Sequence, residues 1–172
     1  VIALANGSAE IISALGFKSL IIGRDIASTD ADLKSIPIVT SGHQVVAEKI
    51  ISMKPDLVLV DKSTGPASAL AALKSAGIKV SEIPEAWTLT DIPAKVSAVA
   101  QSIGTPKSEV LLNDKFSAAF QAATDASLKN VRAAFLYLRG GSAIYRIGGE
   151  GSGADSLMQA IGVTDVGAAN FS

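Results

Sequence analysis

Short apolar, β-branched runs alternate with stretches in which apolar residues recur every three or four positions, and this alternation governs the chain from residue 1 to about residue 104. Residues 79–83, read with them as a strand, mix Val80 and Ile83 with Lys79, Ser81 and Glu82, whereas the runs at 1–5, 19–22, 36–39 and 57–60 are apolar at nearly every position. A strand needs that only when helices cover both of its faces, as in a parallel sheet. The intervening segments 8–15, 46–53, 67–76 and 91–103 carry the helical period, and Gly16, Gly77 and Gly104 follow three of them, where a left-handed residue closes the last turn. Ser8 and Thr90 are the expected N-caps. The reading is an α/β fold: a three-layer α/β/α lobe with a mostly parallel sheet, spanning 1–104.

Beyond Gly104 the pattern changes. Residues 107–129 contain neither glycine nor proline and keep an apolar stripe through Val110, Leu111, Phe116, Phe120, Ala123 and Leu128. That predicts a helix of about 20 residues, near 30 Å long, and an interlobe backbone helix over 105–130. Two strand-like runs at 133–138 and 143–147, a glycine-rich stretch at 148–153 and a helix over 154–161 follow. Residues 131–172 therefore read as the beginning of a second α/β lobe, with too few elements to close a sheet of its own.

Composition removes several functions. Lys+Arg 15 against Asp+Glu 16 gives a formal charge of -1, so no polybasic face exists to neutralise nucleic-acid phosphates or an anionic bilayer. The 172 residues contain no cysteine, which excludes thiolate metal sites, thiol catalysis and disulfides. No apolar run approaches the roughly 20 residues that span a membrane.

The single histidine lies in Thr40-Ser41-Gly42-His43-Gln44, after a predicted strand and before the helix that contains Glu48. Loops at the carboxyl ends of parallel strands are where open α/β sheets bind ligands, and a neutral imidazole there can ligate a transition metal or act as a base. A solvated loop histidine satisfies the position equally well. Tyr145, in a segment bounded by Arg139 and Arg146, is the second candidate. A phenolate is a hard ligand for ferric iron, and nearby guanidinium groups favour it over the phenol; an edge-strand tyrosine with a half-packed ring is the alternative. Trp87 sits in a loop after a strand, placed either to stack on a flat ligand or to pack on the rim. The glycine stretches at 6–8 and 148–153 lack the dinucleotide spacing, and no phosphate loop, nucleophile elbow or His-Glu-x-x-His motif occurs.

Residues 1–16, Ile36-Pro37-Ile38-Val39, and Glu48 through Lys54-Pro55-Asp56-Leu57-Val58-Leu59-Val60 together resemble the first lobe of cluster A substrate-binding proteins of ABC importers. Gly23-Arg24-Asp25 with Ser28-Thr29, Gly65-Pro66, Pro84-Glu85-Ala86-Trp87-Thr88, Phe135-Leu136-Tyr137-Leu138-Arg139-Gly140 and Gly151-Ser152-Gly153-Ala154-Asp155-Ser156-Leu157 narrow the likeness. They are similar to haemin-binding lipoproteins of Gram-positive, especially actinobacterial, haem importers. The resemblance implies an extracytoplasmic, non-enzymatic protein that captures ferric haem in a cleft between two lobes. It further implies one histidine and one tyrosine as axial ligands, for which His43 and Tyr145 stand at the matching places. Arg24, Lys62, Arg139 and Arg146 are the candidates for the haem propionates. An acidic residue on each lobe would dock on the permease, with its ATPase behind: Glu48 on the first and Asp155 on the second. Membrane attachment would come only from a lipid anchor upstream of Val1. The family's second lobe continues through units absent here, so the chain is expected to be incomplete, with exposed edges that favour dimerisation or domain exchange.

Two other readings compete. The same scaffold could bind a ferric siderophore or a corrinoid, which would favour several cleft arginines or aromatics and no protein-supplied axial pair. A small α/β enzyme acting on a nucleotide or phosphate would need a glycine loop leading directly into a helix N-terminus.

Overall fold

The computed structural model describes residues 1–125, 128, 131–139 and 144–170, with backbone only at Thr124, Asp125, Arg139, Ile144 and Tyr145. The chain divides into two compact units: Val1–Glu85 with Pro93–Leu112, and Ala86–Ile92 with Asn113–Ser172.

In chain order the first unit comprises β1 (Ile2–Ala3), α1 (Ser8–Ala14), β2 (Gly23–Arg24), β3 (Thr40–Ser41), β4 (Gln44–Val45), α2 (Ala47–Ser52), β5 (Leu57–Val60), α3 (Ala67–Ser75), β6 (Lys79–Glu82) and α4 (Ile92–Ser102). Four of the strands form a wholly parallel sheet in the order β2-β1-β5-β6. The pleat of β5 shows why the run is apolar throughout. Leu57 and Leu59 enter a core with Ala9, Ile12, Leu33 and Val99, whereas Val58 and Val60 enter another with Ile50, Ala69 and Leu73. Alternate residues of one strand thus feed two layers, and the expected three-layer packing is what forms. Gly16, Gly77 and Gly104 take positive φ after α1, α3 and α4 as anticipated.

Three local expectations fail for identifiable reasons. Residues 19–22 do not form a strand: Lys18–Leu20 makes a 3-10 turn, and the strand starts at Gly23. A side chain at 23 would stand 2.6 Å from Ile2 Cδ1 and 2.8 Å from Val39 Cγ1, so the residue that reads as a strand breaker is what lets β2 pack. Residues 36–39 meet the sheet only at a single bridge, Arg24 to Ile38, and the chain then turns back at once in the antiparallel β3–β4 pair. The N-caps are Gly7 and Thr88 instead of Ser8 and Thr90. Ser8 Oγ is buried and donates to the Ala5 carbonyl at 2.6 Å, while Thr88 and Asp91 form a reciprocal capping box.

The boundary between units falls within α5 (Glu109–Asp125), where the long helix was expected. The second unit continues with β7 (Arg132–Ala133), β8 (Leu136–Arg139), β9 (Ile144–Ile147), α6 (Gly153–Ala160) and β10 (Thr164–Asp165). The run 133–138 is two strands: β7 pairs in parallel with β10, and β8 pairs antiparallel with β9. Residues 86–92, read from sequence as first-lobe chain, group with this unit. The Leu89 N–H donates to Ser156 Oγ at 3.3 Å, and Gly153 lies against the Trp87 carbonyl so closely that a Cβ there would stand 3.1 Å from it. Among the described residues no helix is long and apolar enough to cross a membrane.

Candidate functional site

In the first unit the loops after β1, β2 and β5 and the β3–β4 turn converge at the carboxyl end of the sheet. They line a cavity of about 210 Å³ with Asn6, Asp25, Ile26, Thr40, His43 and Thr64 among its walls. This is the location that parallel sheets reserve for ligands. His43 occupies the two-residue turn of the hairpin beside Gly42, whose φ of 57° supplies the left-handed conformation the turn needs. Its imidazole is exposed and borders the cavity.

Each wall has its own fastening. Asp25 accepts from the Ala27 and Ser28 N–H groups, both at 3.1 Å, and so folds the loop after β2 into a tight turn. Asp61, at the end of β5 and only 4% exposed, accepts from the Asn6 N–H at 2.8 Å, the Ser63 N–H at 3.1 Å, Ser63 Oγ at 2.7 Å and Thr64 Oγ1 at 2.9 Å. Burial alone would raise its pKa, but these hydrogen bonds, with the Lys95 charge, outweigh it and hold the carboxyl below its ordinary value. Lys95 is itself buried on α4, and burial lowers its pKa against the opposing pull of Asp61 and Glu85.

Arg24 does not have the role expected of it. It is 7% exposed; its Nε donates to the carbonyls of Leu33 and Ile36 at 3.0 and 3.1 Å, and its Nη1 to those of Asp25 and Ser28 at 3.2 and 2.8 Å. The guanidinium is the internal staple of loop 25–36, so it is corrected from propionate partner to structural residue. Lys62 is exposed and borders a separate groove with Lys74 and Glu82. Glu48 is exposed in the first turn of α2.

In the second unit an apolar pocket of about 510 Å³ is lined by Phe135, Tyr137, Arg146, Gly148, Leu157 and Met158 among others. Tyr137 and Arg146 are directly opposed across the β8–β9 pair, on one face of the hairpin. Tyr137, 47% exposed, lines this pocket and was not singled out from the sequence. Tyr145 and Arg139 are described in backbone only: Tyr145 is paired with Leu138, out of phase with the Tyr137–Arg146 pair, and the side chains of both lie outside the described residues. Trp87 is 67% exposed, and its N–H donates to Asp91. Asp155 is the second correction. At 4% exposed it accepts from the Gly151 N–H and from Gln159 Nε2, while its own N–H donates to the N-cap Ser152 Oγ. It lies buried in the first turn of α6, ties that turn to Gly151, and is too enclosed to meet a partner.

Several known proteins are similar to this chain. The periplasmic heme-binding protein RhuT from Roseiflexus sp. RS-1 superposes with a TM-score of 0.88 at 28% identity, over 99% of this chain and 66% of that one. The heme-binding protein HmuT does so with a TM-score of 0.84 at 26% identity, over 98% of this chain and 56% of its own. HmuT matches equally as single alanine variants of a histidine, a tyrosine and the arginine two residues beyond that tyrosine. YvrC of Bacillus subtilis, an uncharacterised ABC-transporter substrate-binding lipoprotein, is 31% identical over 111 residues, which is 62% of this chain and 35% of YvrC. The chain thus spans about a third of YvrC and less than two thirds of HmuT and RhuT. The periplasmic binding protein family profile matches residues 1–171, and the chain therefore belongs to that extracytoplasmic family.

Proposed function

We propose that this chain is the haem-capturing part of an ABC-importer substrate-binding protein, working outside the cytoplasmic membrane and delivering ferric haem to a permease. One observation carries the reading: a chain whose own length aligns almost entirely with parts of two heme-binding proteins sets its single histidine on the rim of a cavity at the ligand-binding edge of its sheet.

The chemistry is capture without bond-making in the ligand. A neutral His43 imidazole supplies one axial donor to the iron. A tyrosine oxygen from the second unit supplies the other. From sequence that tyrosine is Tyr145. A second reading, Tyr137, is favoured by its place on the apolar pocket opposite Arg146 and by the spacing of Tyr137 and Arg139, which repeats that of the tyrosine and arginine replaced in HmuT. Arg139 and Arg146 partner the propionates, with Lys62 a weaker candidate because it borders a separate groove. Trp87 offers a face on which the porphyrin can stack. Macrocycle burial supplies most of the affinity at ~25 cal/mol per Å², and the axial donors supply specificity. Glu48 is the docking residue for the permease.

The test is haemin titration followed by absorption spectroscopy on wild type, His43→Ala, Tyr137→Phe and Tyr145→Phe. His43→Ala and one of the two tyrosine variants change the spectrum, and that tyrosine is the ligand. A series with wild-type spectra throughout removes both donors, and saturable binding of a ferric siderophore or corrinoid with haemin inert overturns the haem reading. Glu48→Arg leaves the haemin titration unchanged and lowers uptake by the reconstituted importer; undiminished uptake removes the docking role.

A further inference from the structure

His43 stands on a two-residue turn between two strands of two residues each, a hairpin too short to be stable unaided. What holds it is a neighbour. The Val45 N–H donates to the Gly65 carbonyl at 2.8 Å, and Gln44 bridges to Gly65 in parallel register. Gly65 in turn ends the loop 61–65, and that loop is gathered around one carboxylate. Asp61 Oδ1 accepts from the Ser63 N–H, Ser63 Oγ and Thr64 Oγ1, while the Asp61 N–H donates to Thr64 Oγ1 at 3.0 Å. Its second oxygen accepts from the Asn6 N–H of the loop after β1. Asn6, Ser63 and Thr64 all line the His43 cavity, whereas Asp61 does not.

We propose that Asp61 is the positioning residue of His43: by clamping loop 61–65 it fixes the Gly65 carbonyl that anchors β4, and so fixes the imidazole at the cavity rim. The device needs a buried carboxylate because three donors converge on one oxygen while a fourth, from another loop, meets the other. A neutral amide matches at most one side of that arrangement and turns an N–H against the remaining donors. The proposal rests on the haem reading only for its spectroscopic arm.

The experiment uses Asp61→Ala and, because that variant removes a buried group, also the pair Ser63→Ala with Thr64→Val, which leaves Asp61 in place. Hydrogen exchange is read at the Val45 amide and at the β5 amides, alongside haemin titration with and without His43→Ala. In both variants Val45 exchange rises roughly tenfold more than that of β5, as a local loss of anchoring requires, and the haemin spectrum moves toward that of His43→Ala. Equal loss of protection across the first unit, or an unchanged Val45, overturns the proposal. So does selective loss at Val45 with a wild-type, His43-dependent haemin response. Selective loss at Val45 in a protein whose wild type gives no haemin response supports the clamp and overturns the haem reading instead.

Discussion

Arg24 offers a sharp test, because sequence and structure assign it opposite kinds of work. Replacing it with alanine deletes four charge-assisted hydrogen bonds to main-chain carbonyls. A hydrogen bond to a charged group contributes about 1.5–3 kcal/mol, and an abandoned buried acceptor costs a similar amount. Nε divides itself between two acceptors, and water can reach a loop whose partner has gone, so the four do not add in full. The loss expected is about 3–5 kcal/mol, which for a chain of this size lowers Tm by roughly 10 °C. Arg24→Lys recovers less than half of it, since one ammonium cannot span carbonyls contributed by Asp25, Ser28, Leu33 and Ile36. Urea unfolding followed by circular dichroism measures the stability, and haemin titration well below the transition measures the ligand. A propionate partner would give the reverse result, with weakened haemin and unchanged Tm. A stability loss below about 1 kcal/mol in Arg24→Ala would refute the staple.

Gly23→Ala forces a methyl against Ile2 and Val39 and costs about 1–3 kcal/mol by overpacking, read as a lower urea midpoint. Asp155→Ala leaves the Gly151 N–H and Gln159 without their acceptor and costs about 1–3 kcal/mol; faster hydrogen exchange confined to α6 is the outcome expected. Asp61 shapes the acid limb of stability. Its folded pKa lies below its ordinary value of 3.8, so its contribution is complete above that value and disappears as pH falls through the lower folded one. Urea midpoints from about pH 5 to pH 2 should therefore fall less steeply in Asp61→Asn than in wild type.

What could be read in advance follows from how much of a residue's surroundings its own neighbours encode. The β5 run and the α3 period are dense local patterns, and both elements formed within a residue of where they were expected. The β3–β4 hairpin was not legible, because strands of two residues carry no period and its anchor, Gly65, lies twenty positions downstream of Val45. Arg24 and Asp155 were misread because charged side chains usually stay in solvent, and the carbonyls and amides that draw these two inward belong to loops whose course no local pattern records. Tyr137 was passed over because nothing local sets it apart from Tyr145; its place on the apolar pocket opposite Arg146 comes from the register of two strands.

The excursion of residues 86–92 means that no single cut of the polypeptide yields both units whole. A fragment beginning at Asn113 would carry α6 yet lack the Leu89 amide that meets Ser156 and the Trp87 backbone behind Gly153. Excising 86–92 from the first unit would instead require a new link from Glu85 to Pro93, directly before the buried Lys95. Attempts to dissect this protein into independently expressed halves should therefore carry the short passage as a graft on the second piece, and protease nicking near Glu85 should loosen α6 although some seventy residues of chain separate them.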